Sequence, residues 1–139
     1  MKVHSALGPG LLESVYERCL IHELNKSGLR TASEIPVRVN YDNIVLEGGL
    51  KLDILVEDLV IVELKAVETL TPLHSAQLLS YLKLSGKPVG LLINFNTVHL
   101  RSGIRRLVNG HSQRESTPFF QRLPRTRPSP SFSTNARRT

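Results

Sequence analysis

The chain has 139 residues, of which 40% are hydrophobic and 22% charged, a composition typical of one ordinary globular domain. No apolar run approaches the ~18 residues that span a bilayer, and residues 1–10 lack the apolar core of a signal peptide. The single cysteine, Cys19, cannot form an internal disulfide, and together with five scattered histidines it offers no paired zinc ligands. These features argue against a membrane protein and a disulfide scaffold, and they favour a cytoplasmic location.

The positive charge is concentrated at the C-terminal end. Residues 111–139 contain six Arg and one Glu, a net charge of +5, whereas residues 1–110 carry only +1 of the total of +6. The same segment is rich in Ser, Pro and Thr and poor in aliphatic residues, which predicts a disordered tail. We therefore expect a folded domain over residues 1–110 and a tail over residues 111–139. The pI of 9.9 consequently says little about the folded part.

The predicted elements follow the order helix, four strands, helix, strand, helix. The first helix covers 11–26 and follows the breaker Gly8-Pro9-Gly10. Strands over 35–41 and 44–47 are joined by a hairpin turn at Asp42-Asn43, and a break at Gly48-Gly49 separates them from strands over 50–56 and 59–64. A helix over 72–84 capped by Thr71, a strand over 89–95 and a short helix over 104–108 complete the order. Consecutive strands followed by a crossover helix and a further strand predict an α/β fold, with a mixed sheet flanked by helices.

Three polar residues stand out in the two apolar strands at the centre of the chain. Asp53 lies in the first strand, and Glu63 and Lys65 lie in the second, where residues two apart point to the same face. Two carboxylates and a lysine at the rim of a sheet can bind a hard divalent cation and activate a water molecule. The residues alone leave a second interpretation open, in which Asp53 forms a salt bridge with Lys65 or Lys51.

The register of these two strands decides whether the carboxylates meet. A two-residue turn at Glu57-Asp58 would pair Asp53 with Val62 and place Asp53 and Glu63 on opposite faces of the sheet. If Asp53 pairs with Glu63 instead, the connection needs a three-residue loop or a bulge. We predict such an irregularity near residues 57–59.

Two helices carry further candidates. Glu13 lies on the inward side of the first helix and can supply a third acidic ligand, although an acidic residue in a first helical turn is also favoured by the helix dipole. His74, Gln77 and Tyr81 share one face of the second helix. Gln77 and Tyr81 can hydrogen-bond a phosphate or a water there, or they can form a partly buried polar stripe.

Several motifs together resemble a known group of proteins. Gly10-Leu-Leu-Glu13-Ser-Val-Tyr16 resembles the signature of the GxxExxY family, and Asp53 with Glu63-Leu-Lys65 resembles the core of the PD-(D/E)XK nuclease superfamily. The segments 74–82 and 89–95 are similar to the same family, and the resemblance covers residues 3–109. The sequence departs from the superfamily pattern at Leu52, the residue before Asp53, where the superfamily often has Pro. Family members also usually carry a longer N-terminal helix, so we expect looser packing of the sheet or a more exposed site.

The resemblance implies a restriction-endonuclease-like core and a metal-dependent nuclease. Asp53 and Glu63, helped by the backbone carbonyl of Leu64, would hold Mg²⁺ or Mn²⁺. Lys65 would orient or activate the water that attacks the phosphodiester. The expected partner is nucleic acid, with DNA favoured over RNA and no membrane involved.

The resemblance also assigns roles to residues of the two helices. Glu13 matches an acidic residue on the first helix, and Gln77 and Tyr81 match a Q-xxx-Y helix found in part of the superfamily. The alternative function is a non-catalytic module that keeps the fold and binds nucleic acid or protein, because a net charge of only +1 over residues 1–110 offers little electrostatic attraction to a duplex. The oligomeric state is not determined by the sequence, and a homodimer is compatible with it.

Overall fold

The computed structural model describes residues 1–110, and the tail expected over residues 111–139 lies outside the described residues. The helices are α1 (Lys2–Leu7), α2 (Glu13–Lys26) and α3 (Pro72–Ser85). The strands are β1 (Thr31–Tyr41), β2 (Ile44–Val56), β3 (Val60–Lys65), β4 (Val89–Asn94) and β5 (Ile104–Val108), and a short 3-10 turn over Leu100–Gly103 precedes β5.

The strands form one five-stranded sheet in the order β1-β2-β3-β4-β5. Strands β3 and β4 are parallel because α3 carries the chain back between them, and all other neighbouring pairs are antiparallel. The predicted α/β fold with a mixed sheet flanked by helices is therefore confirmed. Within residues 1–110, no helix combines the length and the apolarity needed to cross a membrane.

Two apolar clusters cover the two faces of the sheet. One lies under α3 and includes Leu55, Ile61, Leu82 and Leu92. The other lies under α1 and α2 and includes Val3, Tyr16, Val62 and Leu64, among others. Neighbouring residues of β3 contribute to opposite clusters, as expected for a central strand covered on both sides.

Helix α3 follows the local signals in its sequence. The Thr71 hydroxyl and the His74 side chain form a reciprocal capping box, and Pro72 occupies the first helical position. The helix ends at Gly86, whose left-handed φ of 68° closes the last turn. The predicted start of this helix, with Thr71 as its cap, is confirmed.

The β1–β2 hairpin confirms one prediction and corrects another. Asp42 and Asn43 both have positive φ, which is the backbone of a tight two-residue hairpin turn. Gly48-Gly49 does not break the chain, because β2 continues through it. The pairing shifts from Val37–Leu50 to Val39–Leu46, so residues 47–49 form a bulge opposite a single residue. Gly48 accommodates this bulge with a φ of 86°.

The helix predicted over residues 104–108 is wrong, since this segment forms strand β5. The spacing of Ile104 and Leu107 is compatible with a helix, but these side chains pack against opposite faces of the sheet. A run of five residues is too short for periodicity to separate helix from strand. Pairing with β4 satisfies the backbone and decides the outcome.

The close approach of the 3-10 turn to β4 gives a test of the packing beside the sheet. A Cβ atom at Gly103 would lie 2.5 Å from the backbone oxygen of Asn94, so we expect Gly103→Ala to destabilise the fold by about 1–3 kcal/mol. The matched control is Gly49→Ala, whose Cβ would meet no atom within 4 Å. Urea unfolding measures both. Equal stability of the two variants would contradict this packing.

Candidate active site

The connection between β2 and β3 is the three-residue loop that the site requires. Val56 pairs with Val60 and Leu55 with Ile61, which leaves residues 57–59 as the loop. Both residues at its start have left-handed backbones, with φ of 52° and 58°. The same register, continued along β2, places Asp53 opposite Glu63. The predicted irregularity is confirmed.

Backbone N–H groups donate hydrogen bonds to the carboxylates of both Asp53 and Glu63. The Asp53 N–H donates to Glu63 Oε1 at 3.2 Å, and the Leu64 N–H donates to Asp53 Oδ2 at 2.9 Å. No salt bridge joins Asp53 to Lys65 or Lys51 within residues 1–110. The ion-pair interpretation of Asp53 is therefore wrong, and its carboxylate belongs to an acidic cluster.

Two acidic residues that sequence reasoning missed complete this cluster. Carboxylate oxygens of Glu17, Glu34 and Asp53 all lie within 4.8 Å of one another, an arrangement that can hold a metal ion. On β1, Ser33 pairs with Ile54 and Ile35 with Leu52, so Glu34 lies opposite Asp53. Asp53 is thus flanked by a glutamate on each neighbouring strand.

The sequence contains a signal for one of these two residues. Glu17 follows Glu13 by four residues on α2, so the two side chains share one helix face. Glu34 carries no such signal, because its position depends on the pairing of β1 with β2. Its positive φ of 52° is likewise a property of the folded strand.

Tyr16 fixes the start of α2 and thereby the position of Glu13. The Tyr16 side chain is fully buried and stacks on Phe95 with a centroid separation of 4.5 Å. Its hydroxyl donates to the Gly8 carbonyl at 2.6 Å and accepts from the Leu11 N–H at 3.1 Å. The loop before α2 is therefore tied to the core.

Glu13 connects α2 to the end of β3. Its Oε1 accepts a hydrogen bond from the Ala66 N–H at 3.2 Å, directly after Lys65. The structure therefore places Glu13 at the site through the backbone beyond β3. Glu13 does not belong to the group of three oxygens that lie within 4.8 Å of one another.

The Lys65 backbone is held in place by β4. The Phe95 N–H donates to the Lys65 carbonyl at 2.8 Å, and Lys65 pairs with Asn94. The buried Asn94 side chain accepts from the Val67 N–H at 3.1 Å and donates to the Val67 carbonyl at 2.8 Å. The segment after β3 is thus pinned, which fixes where the half-buried Lys65 side chain begins.

The carboxylates affect one another electrostatically. Burial, followed by repulsion from Asp53, raises the pKa of Glu63 from 4.5 to about 9, while the nearby Lys65 ammonium acts in the opposite direction. Burial, followed by a hydrogen bond to Glu34 and repulsion from it, raises the pKa of Glu17 to about 7. Glu63 and, in part, Glu17 therefore hold a proton at neutral pH, because Lys65 alone does not balance the negative charge of the carboxylates.

Gln77 and Tyr81 approach the same carboxylates from α3. Gln77 Nε2 donates to the Tyr81 hydroxyl at 3.0 Å. Burial raises the pKa of Tyr81, and the negative charge of Glu63 adds to the shift. Tyr81 is buried whereas Gln77 is exposed. The structure thus brings the tyrosine close to Glu63, with the glutamine bound to its hydroxyl.

The donor set fits a hard divalent cation. The converging carboxylate oxygens come from α2, β1 and β2, and Glu63 on β3 adjoins Asp53 without belonging to that group of three. Oxygen ligands of this kind suit Mg²⁺ or Mn²⁺. A cation would also relieve the repulsion that raises the pKa of Glu63 and Glu17. Leu64 contributes its N–H to Asp53, whereas the role of its carbonyl as a ligand stays a prediction.

Fold and site together define a nuclease-like protein, with carboxylates on adjacent strands and a lysine two residues after the last of them. The model of one family, described as the PD-(D/E)XK nuclease superfamily, matches residues 1–107. The chain belongs to this superfamily. No curated protein and no solved structure gives a match. Membership of the GxxExxY family stays a prediction.

The raised pKa of Glu63 gives a test of the cluster without metal. The folded state binds the Glu63 proton more tightly than the unfolded state, so its contribution is complete below pH 4.5 and is lost as the pH rises toward about 9. We expect the melting temperature of the metal-free protein to fall across this range, and Glu63→Gln to flatten the fall. Thermal unfolding at several pH values measures it, and an unchanged slope in the variant would contradict the buried, protonated carboxyl.

Proposed function

We propose that the protein is a metal-dependent nuclease that hydrolyses phosphodiester bonds of nucleic acid, with DNA favoured over RNA. The observation that carries the proposal is the position of Asp53 between two glutamates, Glu34 and Glu63, at the level of the sheet where Lys65 ends β3. Membership of a nuclease superfamily supports the same chemistry.

Asp53 is the central residue of the proposed metal site. Asp53, Glu63 and the Leu64 carbonyl would hold Mg²⁺ or Mn²⁺, and Glu17 and Glu34 add oxygens on the other side of Asp53. When bound, the ion supplies Lewis-acid polarisation of a phosphoryl oxygen and lowers the pKa of a bound water. The hydrogen bond from the Leu64 N–H leaves one oxygen of Asp53 free of this donor.

Lys65 is the proposed water-orienting residue. An ammonium group has three donors and a flexible stem, so it can hold the attacking water and stabilise negative charge that develops on the phosphate. Its backbone is fixed by Phe95, and Glu13 fixes the next peptide N–H. Lys65 therefore acts from an anchored position.

Tyr81 and Gln77 are proposed to contact the phosphate beside the carboxylates. The Tyr81 hydroxyl accepts a hydrogen bond from Gln77, so its own proton remains available to a phosphate oxygen. The raised pKa keeps this proton in place at neutral pH.

The proposal also retains a cytoplasmic location, which fits the lone cysteine, and it leaves a homodimer compatible with the site.

Replacement of the lysine tests the reaction. We expect Lys65→Ala to lower Mg²⁺-dependent cleavage by roughly 100- to 10,000-fold, because a group that acts on the attacking water is removed. The melting temperature should stay close to that of the wild type, since the side chain is only half-buried. Cleavage of labelled single-stranded and duplex DNA and RNA measures the rate and identifies the substrate.

The outcomes separate nuclease from binding module. Full cleavage activity in both Lys65→Ala and Asp53→Ala would refute the proposed site. A wild-type protein that binds nucleic acid but neither Mg²⁺ nor Mn²⁺ would instead support the non-catalytic module.

The ligand set is tested by calorimetric titration with Mn²⁺. We expect Asp53→Asn to abolish Mn²⁺ binding, because Asp53 lies in the group with Glu17 and Glu34 and also contacts Glu63. We expect Glu34→Gln to weaken Mn²⁺ binding by roughly 10- to 100-fold. The control is Glu23→Gln on the same helix α2 as Glu17, outside the cluster. Equal affinities of Asp53→Asn and Glu23→Gln would contradict the assignment.

A further inference from the structure

A cationic residue lies on the same cross-strand row of the sheet as Glu63. Glu63 pairs with Leu92 on β4, and Leu92 pairs with Arg105 on β5. Directly paired residues project from the same face, and Leu92 belongs to the cluster under α3. Glu63, Leu92 and Arg105 therefore form one cross-strand row on the face of the sheet that α3 covers.

The Arg105 guanidinium is held in one orientation. Its Nη1 donates to Ser75 Oγ at 3.2 Å, and its Nη2 donates to the Leu70 carbonyl at 3.3 Å. These bonds use two of the five N–H donors of the guanidinium and leave three for a ligand. Within residues 1–110, no carboxylate forms a salt bridge with Arg105, and the side chain is exposed.

The charge of the neighbouring site explains why such a residue is needed. Several carboxylates converge there against one lysine, so an approaching phosphate chain meets negative charge. Residues 1–110 carry a net charge of only +1, which offers little general attraction. A pre-oriented guanidinium beside the cluster supplies local attraction, since its planar fork matches two phosphate oxygens.

The spacing fits a second phosphate of the same strand. Neighbouring strands of a sheet lie ~4.8 Å apart, so the backbones of Glu63 and Arg105 are separated by about 10 Å across two strand spacings. Successive phosphates wind around the helix axis, so they lie farther apart than the ~3.4 Å axial rise per nucleotide, and about 10 Å reaches a nearby phosphate of the same strand.

We propose that Arg105, oriented by Ser75 and the Leu70 carbonyl, binds a nearby backbone phosphate of the strand whose phosphodiester lies at the carboxylates. This inference rests on the proposed function, since it names a substrate contact of the same site. It makes Arg105 a nucleic-acid-binding residue that acts on affinity and register and leaves the chemical step unchanged.

The neighbouring residue provides a matched control. Arg106 pairs with Leu91, which packs against the cluster under α1 and α2, so Arg106 projects from the opposite face of β5. Arg105→Gln and Arg106→Gln thus remove the same charge from the same strand on different faces. Glutamine at position 105 can also keep a hydrogen bond to Ser75, which protects the fold.

The test measures binding in EDTA, without cleavage. The probe is a short fluorescein-labelled DNA duplex with a single-stranded extension, and the readout is anisotropy of the full chain. We expect Arg105→Gln to weaken binding by roughly tenfold and to reduce the slope of log K against log salt by ~1. Arg105→Lys should restore the slope but only part of the affinity, and Arg106→Gln should bind like the wild type.

Equal binding of Arg105→Gln and the wild type, or equal losses in the variants at 105 and 106, would overturn the inference. Melting temperatures of the same variants show whether a loss of binding reflects unfolding. If Arg105→Gln unfolds, the inference is tested by Arg105→Lys, whose salt slope should match that of the wild type. A wild type that binds through Arg105 but never cleaves with Mg²⁺ refutes only the nuclease. Cleavage by the wild type with unaltered binding of Arg105→Gln refutes only the phosphate contact.

Discussion

The three-residue loop between β2 and β3 is the constraint on which the site depends. Side chains alternate between the faces of a sheet, so one residue of slippage would send Asp53 and Glu63 to opposite sides. The left-handed backbones of Glu57 and Asp58 hold the longer loop. Arg30 reinforces it, since its backbone N–H donates to Glu57 Oε1 at 2.7 Å and its guanidinium forms a salt bridge to the same carboxylate. The buried Lys87–Asp58 ion pair, at 2.8 Å, fixes the other loop residue.

This register concentrates like charges, and the surrounding backbone holds them in place. N–H groups of Leu64 and Ala66 bind the carboxylates of Asp53 and Glu13 and offset part of the repulsion. Glu63 responds by retaining a proton, as its raised pKa shows. The fold thus keeps an arrangement that is unfavourable by itself and becomes favourable when a cation neutralises it. This is the behaviour expected of a binding site, since a structural ion pair would carry its own balancing charge.

The sheet organises the chemistry by rows. One cross-strand row runs from Glu63 through Leu92 to Arg105, so it changes from an acidic to a basic residue along its length. Such a gradient suits a ligand that presents a cation at one position and a phosphate at the next. Helix α3 lies over this row, with Ser75 next to Arg105 and Tyr81 next to Glu63. One helix therefore lies against both Glu63 and Arg105.

The sequence by itself determined the features that depend on neighbours in the chain: the hairpin turn at Asp42-Asn43, the capped start of α3 and the shared face of Glu63 and Lys65. Turn and cap preferences act over a few residues, so they can be predicted from local patterns. Simple pairing arithmetic also predicted the loop after Val56. Only the tertiary structure decided that β5 is a strand, that β2 passes through Gly48-Gly49, that Glu34 approaches Asp53 and that Arg105 shares a row with Glu63. These outcomes depend on hydrogen bonds between segments far apart in the sequence, and no short-range pattern encodes which strands become neighbours.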